Sequence, residues 1–214
     1  MLALPSPSHN AWCIRPRTNN LCFVMCAGQV KTATQLSRAS NSAAVSLRLA
    51  GMNDLALLRK WDEMPQVQAA DPLSDWQWET ELARTVPWRE QLIAKAGNRP
   101  IGFVQIIDPA LEDDHYWGDC PPNQRAIDIW IGEPDYLGQG YGSEMMRQAI
   151  ARCFAPPQVT AILIDPLARN VRARRFYARF GFKLLEYRWF GPDYCAVHRL
   201  ARCIWDKRNQ SKQH

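Results

Sequence analysis

From Ala126 to Phe154 the chain reads as a strand, a glycine turn and a helix, in that order. Ala126-Ile127-Asp128-Ile129-Trp130-Ile131 is rich in the branched and aromatic residues that suit a pleated surface. In Leu137-Gly138-Gln139-Gly140-Tyr141-Gly142 the glycines open backbone conformations closed to other residues. Met145, Met146, Ala149, Ile150, Cys153 and Phe154 then recur at helical spacing, and Pro156-Pro157 stops the helix. A glycine turn at a helix start leaves several backbone N–H groups unshielded, which makes an anion site suited to a pyrophosphate. An ordinary tight turn is the alternative. No Gly-Lys-Ser/Thr follows, so a P-loop is excluded, and the glycine spacing departs from the dinucleotide fingerprint.

The flanking segments fit an α/β (α+β) domain with one mixed sheet. Ser46 to Leu49 alternates as a strand, and Asn53-Asp54 offers a cap to a helix carrying Leu55, Leu57, Leu58 and Trp61. A second helix is predicted from Ser74 or Asp75 through Trp78 and Leu82. Gln91–Lys95, the turn at 97–100 and Ile101–Ile107 read as a hairpin. Residues 108–124 make a polar loop of a length usually functional or mobile. Val159–Ile164 is a short buried strand. Asn170 caps a helix with Phe176, Tyr177 and Phe180 on its apolar side, and Gly181 ends it. Residues 183–190 and 194–204 read as closing strands, and 206–214 as a polar tail.

Charge divides the chain. The net charge is +5, yet residues 1–53 hold five Lys/Arg and no acid, while the remainder holds 21 of each sign. Residues 1–45 therefore read as a dispensable leader before a domain spanning 46–205. A basic nucleic-acid face is not implied. The seven cysteines contain no C-x-x-C pair and the four histidines no ligand spacing, so no metal site is expected. Free thiols suit a reducing cytoplasm. No apolar run approaches the ~20 residues of a membrane span.

Two marks stand in order: Leu137-x-x-Gly140-x-Gly142, and Asn170-x-x-Ala173-x-x-x-Tyr177-x-x-x-Gly181-Phe182. They resemble the GCN5-related N-acetyltransferase (GNAT) superfamily, whose turn has Gln or Arg in the first place where this chain has Leu137. Leu47-Arg48-Leu49, Pro100-Ile101-Gly102, Arg125-x-Ile127-Asp128 and Asp165-Pro166 bring the chain closer still to the aminoglycoside 6'-N-acetyltransferases, over roughly 46–205. The resemblance implies a GNAT fold, a central mixed and mostly antiparallel sheet flanked by helices. It implies acetyl-CoA as co-substrate, a cationic aminoglycoside as acceptor, no metal, and a monomer or homodimer. It sets CoA across Leu137, Gly138, Gln139, Gly140, Tyr141, Gly142 and Ser143, with Asn170 and Ala173 beyond. The amide of Trp130 or Ile131 would polarise the thioester, as the family's bulged strand does.

The residues carry matching chemistry. An ammonium has no lone pair, so N-acetylation needs a proton acceptor. Asp128 lies between Ile127 and Ile129, where a carboxylate is either paired or working. The resemblance makes it base or amine anchor, and Tyr177 the acid for the leaving thiolate. A satisfied buried Asp and a packing Tyr are the alternatives. Residues 112–135 hold seven acids against Arg125 alone, a local charge of −6 that attracts a polycation. Asp113, Asp114, Asp165 and Asp193 are candidate amine ligands, and Trp61, Tyr116 and Trp117 candidate stacking faces for sugar rings. Another amine acceptor (polyamine, protein N-terminus, siderophore hydroxylamine) or a non-catalytic CoA-binding module also fits.

Overall fold

The computed structural model describes residues 44–72 and 75–210. Backbone contacts divide the chain after Ala39, and all described residues belong to the second unit. The leader (apart from Ala44 and Val45), the Ser74 helix start and the last four residues of the tail lie outside the described residues.

Among the described residues thirteen strands and α-helices follow one another: β1 (Val45–Leu49), α1 (Leu55–Asp62), α2 (Pro65–Ala70), α3 (Trp78–Ala83), β2 (Arg89–Ala96), β3 (Arg99–Ile107), β4 (Gln124–Ile131), α4 (Tyr141–Phe154), β5 (Ala161–Ile164), α5 (Val171–Phe180), β6 (Lys183–Phe190), β7 (Asp193–Ala201) and α6 (Arg202–Gln210). The strands form one sheet in the order β1-β2-β3-β4-β5-β7-β6. Only β4 and β5 are parallel; the other pairs are antiparallel. The mixed, mostly antiparallel sheet is as expected. No described helix is long and apolar enough to cross a membrane.

One face of the sheet packs on α4. Leu92, Val104, Ile106 and Ile127 meet Met145, Met146, Ala149 and Ile150 there, with Phe176, Tyr177 and Phe180 of α5 at the margin. On the other face two smaller clusters form. Leu58, Trp61 and Trp78 cover Ile93 and Phe103. Trp117 and Phe190 join Ile107, Ala126 and Leu163. Strand alternation places Gln91, Gln105 and Asp128 on that same face, between the two clusters.

Local signals work where the sequence places them, with differences. Asn170 Oδ1 accepts the Ala173 N–H at 3.0 Å, and Gly181 takes φ +98° as the left-handed stop of α5. Asp54 begins α1 without capping it. Its carboxylate instead receives Arg48 at 2.8 and 2.6 Å and the Gly51 N–H at 3.0 Å. The six-residue α2 has no apolar period to announce it, and α3 starts at Trp78 rather than Ser74 or Asp75.

The C-terminus departs most from expectation. The closing strand stops at Ala201, and the residues read as strand end and polar tail form α6. Arg202 turns back to bond the carbonyls of Phe154 at 3.0 Å and Pro156 at 2.6 Å, closing the end of α4. Ile204 and Trp205 then pack on the α4 core. A long-range cap, not a local one, decides where that strand ends.

Candidate active site

The site begins where two parallel strands part. β4 pairs with β5 only at Gln124–Ala126, opposite Ala161–Leu163. β4 continues to Ile131, paired with β3 alone as far as Ile131↔Gly102. The register between β3 and β4 runs without a shift, so the parting from β5, and not a bulge against β3, opens the strand edge. The Gly132 N–H bonds to Ile101 O at 3.0 Å. Since successive amides alternate in direction, the Ile131 N–H faces the split and the Trp130 N–H faces β3. Of the two candidate amides, that of Ile131 is the one on the open side of the strand. The Trp130 side chain does line the cleft.

Below the split lies the glycine turn. Gly138 and Gly140 have φ +74° and +93°, and a Cβ at either would meet nothing within 4 Å, so the backbone conformation rather than space calls for glycine. The N–H groups of Ser143 and Glu144 both bond back to Gly140 O. The amides of Tyr141 and Gly142 precede them, at the positive end of a 14-residue helix. Gln139 folds its side chain onto Asp135 O. A cradle of free amides followed by an open strand edge fits a pyrophosphate continued by a pantetheine arm, whose amides can pair with that edge.

The cleft at the split has a volume of about 370 Å³. Its wall includes Asp71, Glu112, Asp128, Asp165 and Asp193 and, among the described residues, not one Lys, Arg or His. Burial lifts the Asp128 carboxyl to about 7, helped by the charge of Asp165 and opposed by the Gln105 amide. Burial likewise raises Glu112 to about 7 and Asp165 to about 6. Glu112 Oε2 is buried without a partner. Tyr177, Asn170 and Ala173 reach the same cleft from the start and middle of α5. Burial and the charges of Asp128 and Asp165 push the Tyr177 phenol well above its ordinary value. A group so placed stays protonated at neutral pH and can donate.

Several predicted substrate contacts lie elsewhere. Trp61 is fully buried, with its ring on Gly132, where any Cβ would run into the indole. It is core, not a sugar platform. Trp117 is only 5% exposed and packs edge-on against Tyr116 and Phe190, so it shapes the wall but offers little stacking face. Asp113 pairs with Arg84 on the surface, and Asp114 is exposed away from the cleft. Tyr116 lines the cleft, where it stacks on Phe190 at 4.5 Å and donates to Asp165 Oδ2 at 2.7 Å. Asp71, Glu112 and Gln105 were missed. Only the acidic run around Glu112 carried a sequence signal, and it did not say which acid turns inward.

A family model of the acetyltransferase (GNAT) domain matches residues 51–188. The chain belongs to the GNAT acetyltransferases. It is an acetyl-CoA-dependent N-acetyltransferase. Among curated proteins it is similar to the aminoglycoside N(6')-acetyltransferase type 1 of Klebsiella pneumoniae, 31% identical over 162 residues, covering 70% of this chain and 80% of that one. It is also similar to a lysine N-acyltransferase of Mycobacterium tuberculosis, 24% identical over 152 residues, 65% of this chain and 69% of the relative. The crystal structure of aminoglycoside acetyltransferase AAC(6')-Ib with coenzyme A superposes with a TM-score of 0.69 at 26% identity, over 78% of this chain and 99% of that one. In this GNAT domain the turn at 137–143 follows the end of β4, beyond the point where β4 and β5 part.

Proposed function

We propose that this acetyltransferase acetylates the 6'-amine of aminoglycoside antibiotics and so confers resistance to them. The carrying observation is the cleft wall, which among the described residues has five carboxylates and no cationic side chain. Such a wall concentrates a polycation and desolvates it next to fixed negative charge. The similarity to aminoglycoside 6'-N-acetyltransferases supports the same reading.

Bound acetyl-CoA supplies an acetyl thioester and a thiolate leaving group. Leu137 to Ser143 hold its phosphates, and the Ile131 N–H meets the thioester carbonyl. Asp128, on the strand edge above, binds the acceptor ammonium and takes its proton, so that the neutral amine attacks directly and no acyl-enzyme forms. Asp165 and Asp193, together with Glu112 and Asp71, anchor further amines. Tyr177 protonates the departing sulfur. Acetylation removes one positive charge from the drug and bulks the amine.

The test offers purified protein acetyl-CoA with kanamycin or tobramycin and follows thiol release. Turnover on a 6'-amino drug, absent when that position bears hydroxyl, is the expected result. Turnover on lysine-type amines alone would favour the second reading, an acyltransferase for another amine, to which the lysine N-acyltransferase relative points. CoA binding with no turnover on any amine would leave a binding module.

Tyr177→Phe should lower kcat by less than ~10²-fold, the low end of general-acid effects, because a thiolate leaves readily. An unchanged kcat in single-turnover assays would refute the acid role. Raising salt from 0.05 to 0.5 M should raise KM for the drug several-fold as the Debye length falls from roughly 14 to 4 Å, with kcat little changed. A salt-independent KM would remove the acidic wall from recognition.

A further inference from the structure

Gln91, Gln105 and Asp128 stand directly opposite one another on β2, β3 and β4. Gln105 Nε2 donates to Asp128 Oδ2 at 3.1 Å, and Gln91 Nε2 donates to Gln105 Oε1 at 3.2 Å. The two amides and the carboxylate thus form a row of hydrogen bonds across three strands. Gln105 is 9% exposed, so water does little to settle how its amide is turned.

A primary amide has two unlike ends, an acceptor oxygen and a donor nitrogen. With the nitrogen toward Asp128 it stabilises the carboxylate. Turned over, it sets oxygen against oxygen and suits only the protonated acid. What faces the far end of the amide decides between them. Gln91 donates an N–H there to the Gln105 oxygen, so turning the Gln105 amide alone would set N–H against N–H as well as oxygen against oxygen. Gln91 itself is not part of the cleft wall.

We propose that Gln91 and Gln105 are positioning residues for Asp128, with Gln91 fixing the Gln105 amide so that its NH₂ holds one carboxylate oxygen and leaves the other to the acceptor amine. The proposal rests on the reading of Asp128 as the group that receives the amine. The other groups facing Asp128 come from every element around it. Asp165 follows β5, Asp71 follows α2, Glu112 and Tyr116 come from the 108–123 loop, and Tyr177 comes from α5. The three acids disfavour ionisation of Asp128, whereas the Gln105 amide favours it. Removing the amide therefore moves the Asp128 titration to higher pH.

The experiment follows the Asp128 carboxyl carbon by NMR in the full chain, its signal assigned by loss in Asp128→Asn, alongside the pH profile of kcat/KM. Gln105→Leu and Gln91→Leu should each raise the titration midpoint, by about one pH unit for the first and less for the second. The acid limb of kcat/KM should move with it, so that activity is lost more at pH 6 than at pH 8.5. Should either Leu variant misfold, Gln105→Met and Gln91→Met carry the same test. Unmoved midpoints in folded variants would overturn the proposal. A shift in the Gln105 variant alone would overturn the part given to Gln91. A midpoint that moves while the acid limb stays would uphold the positioning and reject Asp128 as the base.

Discussion

Asp128→Asn lowers kcat/KM by ~10²-fold or more, the usual scale for losing a general base. The amide keeps the shape and can still touch the ammonium, but it cannot take the proton. In the wild type, kcat/KM should rise with pH through about 7, as the buried Asp128 carboxyl gives up its proton. Below that pH the carboxyl is neutral, and it neither binds the ammonium nor accepts from it. The variant should lose this limb. Near wild-type turnover in Asp128→Asn, measured with a 6'-amino drug, would end the assignment.

The same substitution should stabilise the free protein at pH 8. A folded-state pKa raised above the unfolded value means that the fold holds a proton the unfolded chain releases. The ionised group then weighs against folding, increasingly so as pH rises from about 4 to about 7, and at full strength above. Asn removes that cost. Melting curves should show Asp128→Asn gaining over wild type at pH 8 and the two converging near pH 4. Glu112 and Asp165 are raised for the same reason, so a bound polycation offsets three such costs at once.

Trp61→Ala should cost about 3–5 kcal/mol, the range for emptying a buried aromatic site. The indole lies flat on Gly132 and its Nε1 donates to Glu133 Oε1 at 3.0 Å. Lys60 reaches the same oxygen at 2.9 Å, and Arg99 approaches Oε2 at 3.5 Å. Together these contacts fasten α1 to the end of β4, just before the glycine turn. In a domain of this size the loss should lower Tm by roughly 10 °C. Were Trp61 a sugar platform, the variant would instead raise KM at an unchanged Tm. Melting and KM measured on the same preparation separate the two.

Much of the site was legible because its signals are local. Gly138 and Gly140 are called for by a positive φ, Asn170 by an unpaired N–H three residues on, and Gly181 by the left-handed stop of α5. Each needs only its own neighbours. Asp128 was legible as a charge set in an apolar strand. The acids of the 108–123 loop were not separable. A loop without a period gives no face, and which of Glu112, Asp113 and Asp114 turns inward depends on Arg84, Phe190 and Asp165, all far along the chain. Trp61 misled because an aromatic residue looks the same in sequence whether it faces a sugar or a glycine.

The order of residues along the chain specifies the unit from β4 through the glycine turn to α4, the capped helix α5, and hence the family. These follow from backbone conformations and caps that adjacent residues enforce. The tertiary structure alone decided which carboxylates line the cleft, that Trp61 is core, that α6 replaces the end of a strand, and that Gln91 and Gln105 lie beside Asp128. Those outcomes depend on cross-strand register and on contacts between residues tens of positions apart. Burial, which raises the pKa values of the cleft acids, is a property of the assembled fold and of no single segment.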